Sequence, residues 1–361
     1  MIFYQPDYLS SGLIALPSTV ILALLLITCT SSETGKENST EPSLVFRLAL
    51  ELNSATKIWE ASNLFKEELE KASPEDGIVE GEIKVEFYDQ GMVGTERQLL
   101  EACYFGVIDV VQVNSSVVSS VVPIYSLLDL PYIFVSDDHL KEVLNGPVGQ
   151  ELLDELGTMD MQGLGFYTAG FRNMFYKTNG ECAKTPDELK GLKIRVMESP
   201  VMINAINAIG PSATPIPFSE LYQSLKTGVV DGAEISANIF VSYNYHETGC
   251  NCFTLTEHFT NQHVLVANAK WLNNLEPKYK RRIRKVSKEI VPEFNRLWDQ
   301  AISRAYAEME EHDVVINEVE SKKDFVESAA HIPDQFFVEH SEISQELYGK
   351  IREIGFKYLE E

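Results

Sequence analysis

The sequence predicts an α/β protein with mainly parallel strands. From about residue 45 onward, short apolar runs with a two-residue period alternate with segments whose apolar positions recur every three or four residues. This alternation is typical of helices packed on a largely parallel sheet. The 361 residues are enough for two domains, and a hydrophobic content of 44% is sufficient for full cores.

The first part of this region alternates between predicted strands and predicted helices. Apolar spacing predicts helices over residues 59–71 and 95–104, and Thr95 is suited to cap the second of them. Clean alternation or continuous apolar character predicts the intervening strands. These strands cover residues 44–52, 82–88 (EIKVEFY) and 107–113.

The middle of the chain continues the same pattern. A helix is predicted to begin at Thr185, where a cap residue precedes Pro186 and two acidic residues. A second helix covers 219–227 and ends at Gly228. Short strands are predicted over residues 163–167, 174–177, 192–197 and 229–234.

The C-terminal third is predicted to be helical. Apolar residues recur at intervals of three or four from Lys278 to about His312, which would bury one face over a great length. Pro292 removes one backbone donor inside this stretch, so we expect a kink there. A long kinked helix is a candidate brace between two domains. The basic run 278–285 is interpreted as a solvated helix face, and a surface that docks on a membrane partner is the alternative.

Charge and motifs exclude several function classes. A formal net charge of −24 disfavours nucleic acid as a partner. The sequence contains no phosphate-binding G-x-x-x-x-G-K-[ST] loop, no G-x-S-x-G nucleophile elbow and no H-E-x-x-H zinc motif. His246, Cys250, Cys252 and His258 are close together in the sequence but lack the usual zinc spacing, so a surface turn or a disulfide is favoured.

The N-terminus resembles an export signal. An apolar run over residues 13–27 is too short to span a membrane and is followed by Thr28, Cys29 and a polar stretch. This order predicts a lipoprotein signal over 1–29, lipidated at Cys29, and a flexible tether over 30–44. Residues 1–12 lack Lys and Arg, so a plain cleaved signal or an uncleaved anchor are alternatives. Export would place the chain in an oxidising space, where Cys182 can pair with Cys250 or Cys252.

One charged side chain is unusual in its sequence context. Arg195 lies within residues 192–197 (LKIRVM), a strand otherwise committed to burial. Its planar guanidinium suits a carboxylate, whereas the alternative is a solvated sheet edge shared with Lys193. Arg172 follows Gly170 and is a second candidate of the same kind.

Six blocks in one order make the sequence similar to a known family. Between about residues 46 and 310 it resembles the dicarboxylate-binding type of solute-binding subunit of tripartite ATP-independent periplasmic (TRAP) transporters. The matching blocks are 94–101 (GTERQLLE), 129–134 (DLPYIF), 145–152 (NGPVGQEL), 170–172 (GFR), 185–196 (TPDELKGLKIRV) and 227–234 (TGVVDGAE).

This resemblance implies a two-lobed binding protein in which each lobe is a mixed sheet flanked by helices. It places residues 45–169 with about 261–300 in lobe I and residues 170–260 with about 301–361 in lobe II, with the long C-terminal helix bridging them. The function implied is capture of an organic acid and delivery to ion-gradient-driven membrane subunits, without a cofactor, a metal or catalysis. An enzyme that uses the same cleft and a ligand-sensing module that signals to a receptor are the alternatives.

The resemblance also implies ligand-binding residues. Arg195 takes the position that binds the ligand carboxylate, and Arg172 the position of a frequent second Arg. After D-G-A-E the family often has Asn and then Pro, whereas here Ile235 follows and Asn238 is the nearest replacement. Polar residues at the other positions favour a sugar acid or hydroxy acid over a plain dicarboxylate. The remaining candidate residues are Phe218, Asn114, Glu51 and Glu96.

Overall fold

A computed structural model describes residues 41–359, so the predicted signal and Cys29 lie outside the described part. Within these residues all strands form one mixed nine-stranded sheet, in the order β2-β1-β3-β8-β4-β7-β5-β6, with β9 pairing with β8. The strands are β1 (Leu44–Leu50), β2 (Ile83–Tyr88), β3 (Val110–Asn114), β4 (Met161–Tyr176), β5 (Lys193–Val196), β6 (Ser212–Pro215), β7 (Gly232–Ile235), β8 (Cys252–Asn268) and β9 (Val315–Glu318).

Two long antiparallel strands, β4 and β8, join the two halves of the sheet. On one side, β1 pairs in parallel with β2 and β3, and on the other β5 pairs in parallel with β6 and β7. We call these groups the β1 side and the β5 side. The expectation of mainly parallel strands therefore holds within each group, whereas the centre is antiparallel.

The prediction of two separate strands over 163–167 and 174–177 was wrong. The chain forms one strand, β4, whose pairing with β8 shifts register three times, including between Thr168 and Phe171. Gly170 lies at that shift with a φ of +61°, and a Cβ there would approach Trp298 Nε1 to 3.1 Å. The glycine therefore marks a bulge inside a strand, not a turn between two strands.

Fourteen α-helices cover the sheet within residues 41–359. The N-cap prediction at Thr95 is confirmed, because its side chain accepts from the Gln98 N–H and Gln98 reciprocates. The start predicted at Thr185 leads only into a 3₁₀ turn, Pro186–Leu189, because an extended residue, Lys190, follows directly. The helices are α1 (Lys57–Glu70), α2 (Glu96–Tyr104), α3 (Ser115–Val118), α4 (Asp137–Asn145), α5 (Pro147–Glu155), α6 (Pro200–Ile209), α7 (Leu221–Thr227), α8 (Ala237–Ser242), α9 (Ala269–Asn274), α10 (Pro277–Glu289), α11 (Val291–Glu311), α12 (Lys322–Ser328), α13 (Ile332–Glu339) and α14 (Gln345–Phe356).

The long C-terminal helix bridges the two halves, as predicted, and it is divided near Pro292. The break falls at Ile290, and Pro292 occupies the first turn of α11, where its missing N–H would have no partner in any case. Phe294 and Trp298 pack in the core on the β1 side, whereas Met309 packs in the core on the β5 side. No helix in the described residues is long and apolar enough to cross a membrane.

The structure shows how the cysteines pair and which partners part of the basic run has within the chain. Cys182 pairs with Cys252, with 5.8 Å between their Cα atoms, while Cys103 and Cys250 are buried thiols. Cys252 is thereby unavailable as a thiolate ligand, which favours the disulfide interpretation. In the basic run, Lys278 and Lys285 form ion pairs with acidic residues of the β1 side. Much of this charge is therefore balanced within the chain.

Candidate functional site

A cavity lies between the β1 side and the β5 side of the sheet. It has two chambers of about 460 and 350 Å³, including their open volume. Both chambers are lined by Glu96 from α2 and by Arg195 and Met197 at the end of β5, with Phe218 beside them. Six of the eight predicted ligand residues line the smaller chamber, Glu51 lines the larger one, and Asn238 lines neither. These six are Arg195, Arg172, Phe218, Asn114, Glu96 and Ile235.

Arg195 is a buried cation without a counter-ion in the described part of the chain. Only 2% of the residue is exposed, and its Nε donates to the Ile216 carbonyl at 2.7 Å. Within residues 41–359, no carboxylate lies within 4.0 Å of its guanidinium and no hydrogen bond uses its terminal nitrogens. Burial lowers the pKa of Arg195, and the field of Glu234 opposes this effect. A buried unpaired cation in a cavity wall is a natural partner for an anion.

Arg172, in contrast, is already paired. Its Nε and Nη2 donate to the two carboxylate oxygens of Glu234, the second at 2.9 Å, and Nη2 also donates to the Glu234 carbonyl. Both residues are buried. His258 lies 4.0 Å from the same carboxylate, and burial lowers the pKa of its imidazole to about 3. Arg172 therefore contributes a cation whose charge Glu234 offsets.

Two carboxyl groups form the wall on the β1 side. The Glu96 N–H donates to Glu51 Oε2 at 3.0 Å, and Glu96 Oε1 accepts from the Asn114 N–H at 3.1 Å. The remaining oxygen of Glu51 accepts from the Ser219 N–H at 3.1 Å, which links the wall to the β5 side. Burial and the charge of Glu51 raise the pKa of Glu96 to about 8, which favours the protonated form of this carboxyl near neutral pH.

The side chain of Asn114 is engaged within the wall. Its Oδ1 accepts from the Ser116 N–H at the start of α3, and its Nδ2 donates to Asn261 Oδ1 at 2.7 Å. Asn261 Nδ2 in turn lies 3.3 Å from Ser236 Oγ, which follows β7. Asn114 therefore orients one face of the cavity and ties it to the central strand β8.

His263 is a lining residue that the sequence reasoning missed. It lies on β8, two residues after Asn261 and hence on the same face of the strand. Its Nδ1 is buried, has no hydrogen-bond partner and lies 3.6 Å from Glu96 Oε1. Burial lowers the pKa of His263 to about 3, so the ring is neutral. The only sequence signal for His263 was its spacing of two residues from Asn261, which places both side chains on one face of a strand.

Aromatic and backbone contacts close the edge of the cavity. The Arg195 guanidinium carbon lies 5.9 Å from the centre of the Phe218 ring, which packs edge-on against Tyr243 at 4.9 Å. The Tyr243 hydroxyl accepts from the Asn53 N–H at 3.1 Å. Together with the Glu51 contact to Ser219, this places two hydrogen bonds between the β1 and β5 sides.

Asn238 is not brought into this cavity. It lies on α8 and lines a separate depression beside Ala301 and Arg304 of α11. The residue is 6% exposed, and its Oδ1 has no partner. Ile235, three residues earlier, does line the smaller chamber but offers only an apolar side chain. The helix that starts at Ala237 carries Asn238 away from the cavity, a turn that the sequence did not reveal.

Comparisons with known proteins agree on one family. The sequence model of bacterial extracellular solute-binding protein, family 7 (DctP), matches residues 49–340. A solute-binding protein of Chromohalobacter salexigens is 32% identical over 265 residues, which are 73% of this chain and 78% of that protein.

Solved structures give the same result. A TRAP periplasmic solute-binding protein from Chromohalobacter salexigens, with bound D-glucuronate, is similar with a TM-score of 0.80 and 28% identity, covering 86% of this chain and 99% of that one. The sugar acid binding protein DctPAm from Advenella mimigardefordensis, in complex with galactonate, is similar with a TM-score of 0.80 and 26% identity, covering 88% of this chain and 99% of that one. The expected two-lobed mixed α/β fold is thereby confirmed.

Proposed function

This chain belongs to family 7 of the bacterial extracellular solute-binding proteins, and we propose that it captures a sugar acid in the cavity and delivers it to TRAP membrane subunits. The solved relatives with bound D-glucuronate and galactonate support the ligand class. The delivery step is supported by the family alone.

The observation that carries the proposal is the state of Arg195. Its terminal nitrogens face a cavity without a carboxylate of the described chain within 4.0 Å, although the residue is buried. A ligand carboxylate that accepts two parallel hydrogen bonds from this fork would supply the missing counter-ion. Exclusion of water from the cavity would strengthen the attraction.

The composition of the remaining wall favours a sugar acid over a plain dicarboxylate. Arg195 offers one unpaired positive charge, and the charge of Arg172 is offset by Glu234. Glu51, Glu96 and His263 add carboxyl and imidazole groups, which suit hydroxyl groups of a ligand. Arg97 also lines the larger chamber, but its Nε lies 3.4 Å from Glu101 Oε1. A second ligand carboxylate would therefore meet only cations that already have a carboxylate partner.

Capture is proposed to occur by closure of two lobes over the ligand. We place residues 45–169 with about 261–300 in lobe I and 170–260 with about 301–361 in lobe II. The register shift of β4 between Thr168 and Phe171 supports a hinge at that boundary. The Glu51 contact to Ser219 and the Tyr243 contact to Asn53 would then form on closure. A ligand that fits only the closed arrangement shifts the population toward it.

The protein is proposed to work outside the cytoplasm, held by a lipid on Cys29. The disulfide between Cys182 and Cys252 supports an oxidising compartment. The lipid anchor depends on sequence alone, and mass spectrometry of the N-terminal peptide from membranes of the native host tests it. A diacylglyceryl-modified Cys29 is expected, and an unmodified N-terminus that begins elsewhere would contradict the anchor.

The function is tested by titrating the purified protein in a calorimeter with D-galactonate, D-glucuronate and succinate. At least one sugar acid is expected to bind with a 1:1 stoichiometry, and more tightly than succinate. The matched variant Arg195→Met should lose the binding. Tight binding of succinate with no binding of either sugar acid would contradict the proposed ligand class.

A further inference from the structure

Asp129 is a buried carboxylate that joins two serines from different parts of the chain. It lies at the end of a 3₁₀ turn, Pro123–Asp129, and only 3% of the residue is exposed. One carboxylate oxygen accepts from Ser116 Oγ, in α3, and the other accepts from Ser199 Oγ at 2.7 Å. Ser199 directly precedes α6. Both serines are themselves buried, so the three side chains form one enclosed polar link between α3 and α6.

This link runs behind the walls of the larger chamber. Ser116 lines the chamber itself. Met197 and Glu198 line it from the end of β5, and the Ser199 N–H donates to the Met197 carbonyl at 2.8 Å. Arg195 lies in β5, two residues before Met197. A shift of Ser199 would therefore move the segment that carries Arg195 relative to α3.

The segment around Asp129 is also attached to β8, at the place where the pairing of β4 with β8 changes register. Gln262 Nε2 donates to the Leu128 carbonyl at 3.4 Å. Gln262 pairs with Thr168, where the register shift that we interpret as a hinge begins. The carboxylate of Asp129 therefore lies beside the proposed hinge, where one contact can set the relative position of two lobes.

Burial of this carboxylate is costly for the folded state. Within residues 41–359, no cation lies within 4.0 Å of Asp129. Burial raises the pKa of Asp129 to about 6, although the hydrogen bonds from the two serines oppose the rise. A buried charged group without an ion pair adds little to stability, and a reason to retain it is that it fixes one arrangement of its neighbours.

We propose that Asp129 is a positioning residue, which holds the start of α6 against α3 and so keeps Arg195 in place to bind the ligand carboxylate. This inference rests on the proposed function and its lobe division, in which Ser116 and Asp129 belong to lobe I and Ser199 to lobe II. The bond between Asp129 and Ser199 is then a pivot between the lobes. Without it, the ligand has to order this segment when it binds, which lowers the affinity.

Calorimetric titration of the full chain with D-galactonate and D-glucuronate tests the positioning role. Ser199→Ala removes the bond to Asp129 and also the side-chain cap of α6, in which Ser199 Oγ accepts from the Met202 N–H. Ser136→Ala is the matched control, because its hydroxyl caps α4 within lobe I. The association constant for the tighter-binding sugar acid should fall at least about fivefold in Ser199→Ala. It should stay within about twofold of wild type in Ser136→Ala, and urea unfolding of both variants should remain a single transition.

A double-mutant cycle shows whether Asp129 and Ser199 act through their mutual bond. Asp129→Ala should weaken binding at least as much as Ser199→Ala, and the double variant should bind no more weakly than Asp129→Ala alone. A double variant that shows the product of the two single effects would overturn the inference. If Asp129→Ala does not fold, the comparison of Ser199→Ala with Ser136→Ala decides by itself.

Two results of that comparison would overturn the inference while leaving the proposed function intact. One is a Ser199→Ala protein that binds the sugar acid within about twofold of wild type. The other is an equal loss of affinity in Ser199→Ala and Ser136→Ala, which would show that loss of any helix cap has this effect. If the wild type binds neither sugar acid, the proposed function fails and the inference fails with it.

Discussion

Replacing Arg195 by methionine separates ligand binding from stability. The side chain is buried, and within residues 41–359 its one hydrogen bond runs from Nε to the Ile216 carbonyl. Removing one member of a buried charge pair with the ligand costs about 3–5 kcal/mol, and each 1.4 kcal/mol is tenfold in affinity. We therefore expect the dissociation constant for the sugar acid to rise by a factor of about 10² to 10⁴.

The same substitution should not lower the stability of the unliganded protein. Arg195 is a desolvated cation without a counter-ion in the described chain, and methionine fills a similar volume without that cost. Arg172→Met is the matched control, since it removes the partner of the buried Glu234 carboxylate. We expect that variant to lose about 3–5 kcal/mol of unfolding free energy.

Calorimetric titration and urea unfolding of both variants measure the two quantities. The expected result is an Arg195→Met protein that unfolds like wild type and does not bind, beside an Arg172→Met protein that is clearly destabilised. The reasoning is refuted if Arg195→Met binds the ligand within about threefold of wild type. It is also refuted if its unfolding free energy falls as much as that of Arg172→Met.

Further predictions concern the disulfide, the bridging helix and pH. Cys182 and Cys252 are 70 residues apart, so replacing both by serine should lower the unfolding free energy by about 4 kcal/mol in urea titrations, and a change below about 1 kcal/mol would contradict this. Trp298→Ala should cost about 3–5 kcal/mol while unfolding stays a single transition, and two separate transitions would argue against α11 as a brace. The pKa of Glu96 is raised from 4.5 to about 8, so between these pH values the folded state keeps a proton that the unfolded state releases. The unfolding free energy therefore falls as pH rises from 4.5 to about 8. Measured from pH 5 to 9, the unfolding free energy should therefore decline less steeply in Glu96→Gln than in the wild type. Parallel declines in the two proteins would contradict the raised pKa of Glu96.

Local structure was predictable at several places where a few neighbouring residues determine it, although the helix predicted to start at Thr185 is only a 3₁₀ turn. The N-cap at Thr95 and the helix end at Gly228, which has a φ of +76°, depend on a few adjacent residues. Arg195 could be identified from the sequence because a charged guanidinium is unusual within an otherwise apolar strand. The alternation of strands and helices likewise followed from apolar spacing alone.

Long-range pairing was not predictable from such patterns. The continuity of β4 depends on β8, almost one hundred residues further along the chain, which keeps the two segments paired across the bulge at Gly170. The partner of Arg172 is Glu234, a cross-strand contact that no local pattern encodes. For the same reason His263 was missed, since its place in the wall depends on the pairing of β8 with its neighbours.

The most direct test of the account is a crystal structure of the protein grown with D-galactonate. The account predicts that the galactonate carboxylate accepts two hydrogen bonds, about 2.7–2.9 Å long, from the terminal nitrogens of Arg195. The hydroxyl groups of the ligand should lie toward the wall that contains Glu96. A galactonate molecule bound in the cavity with its carboxylate away from Arg195 would contradict the central claim.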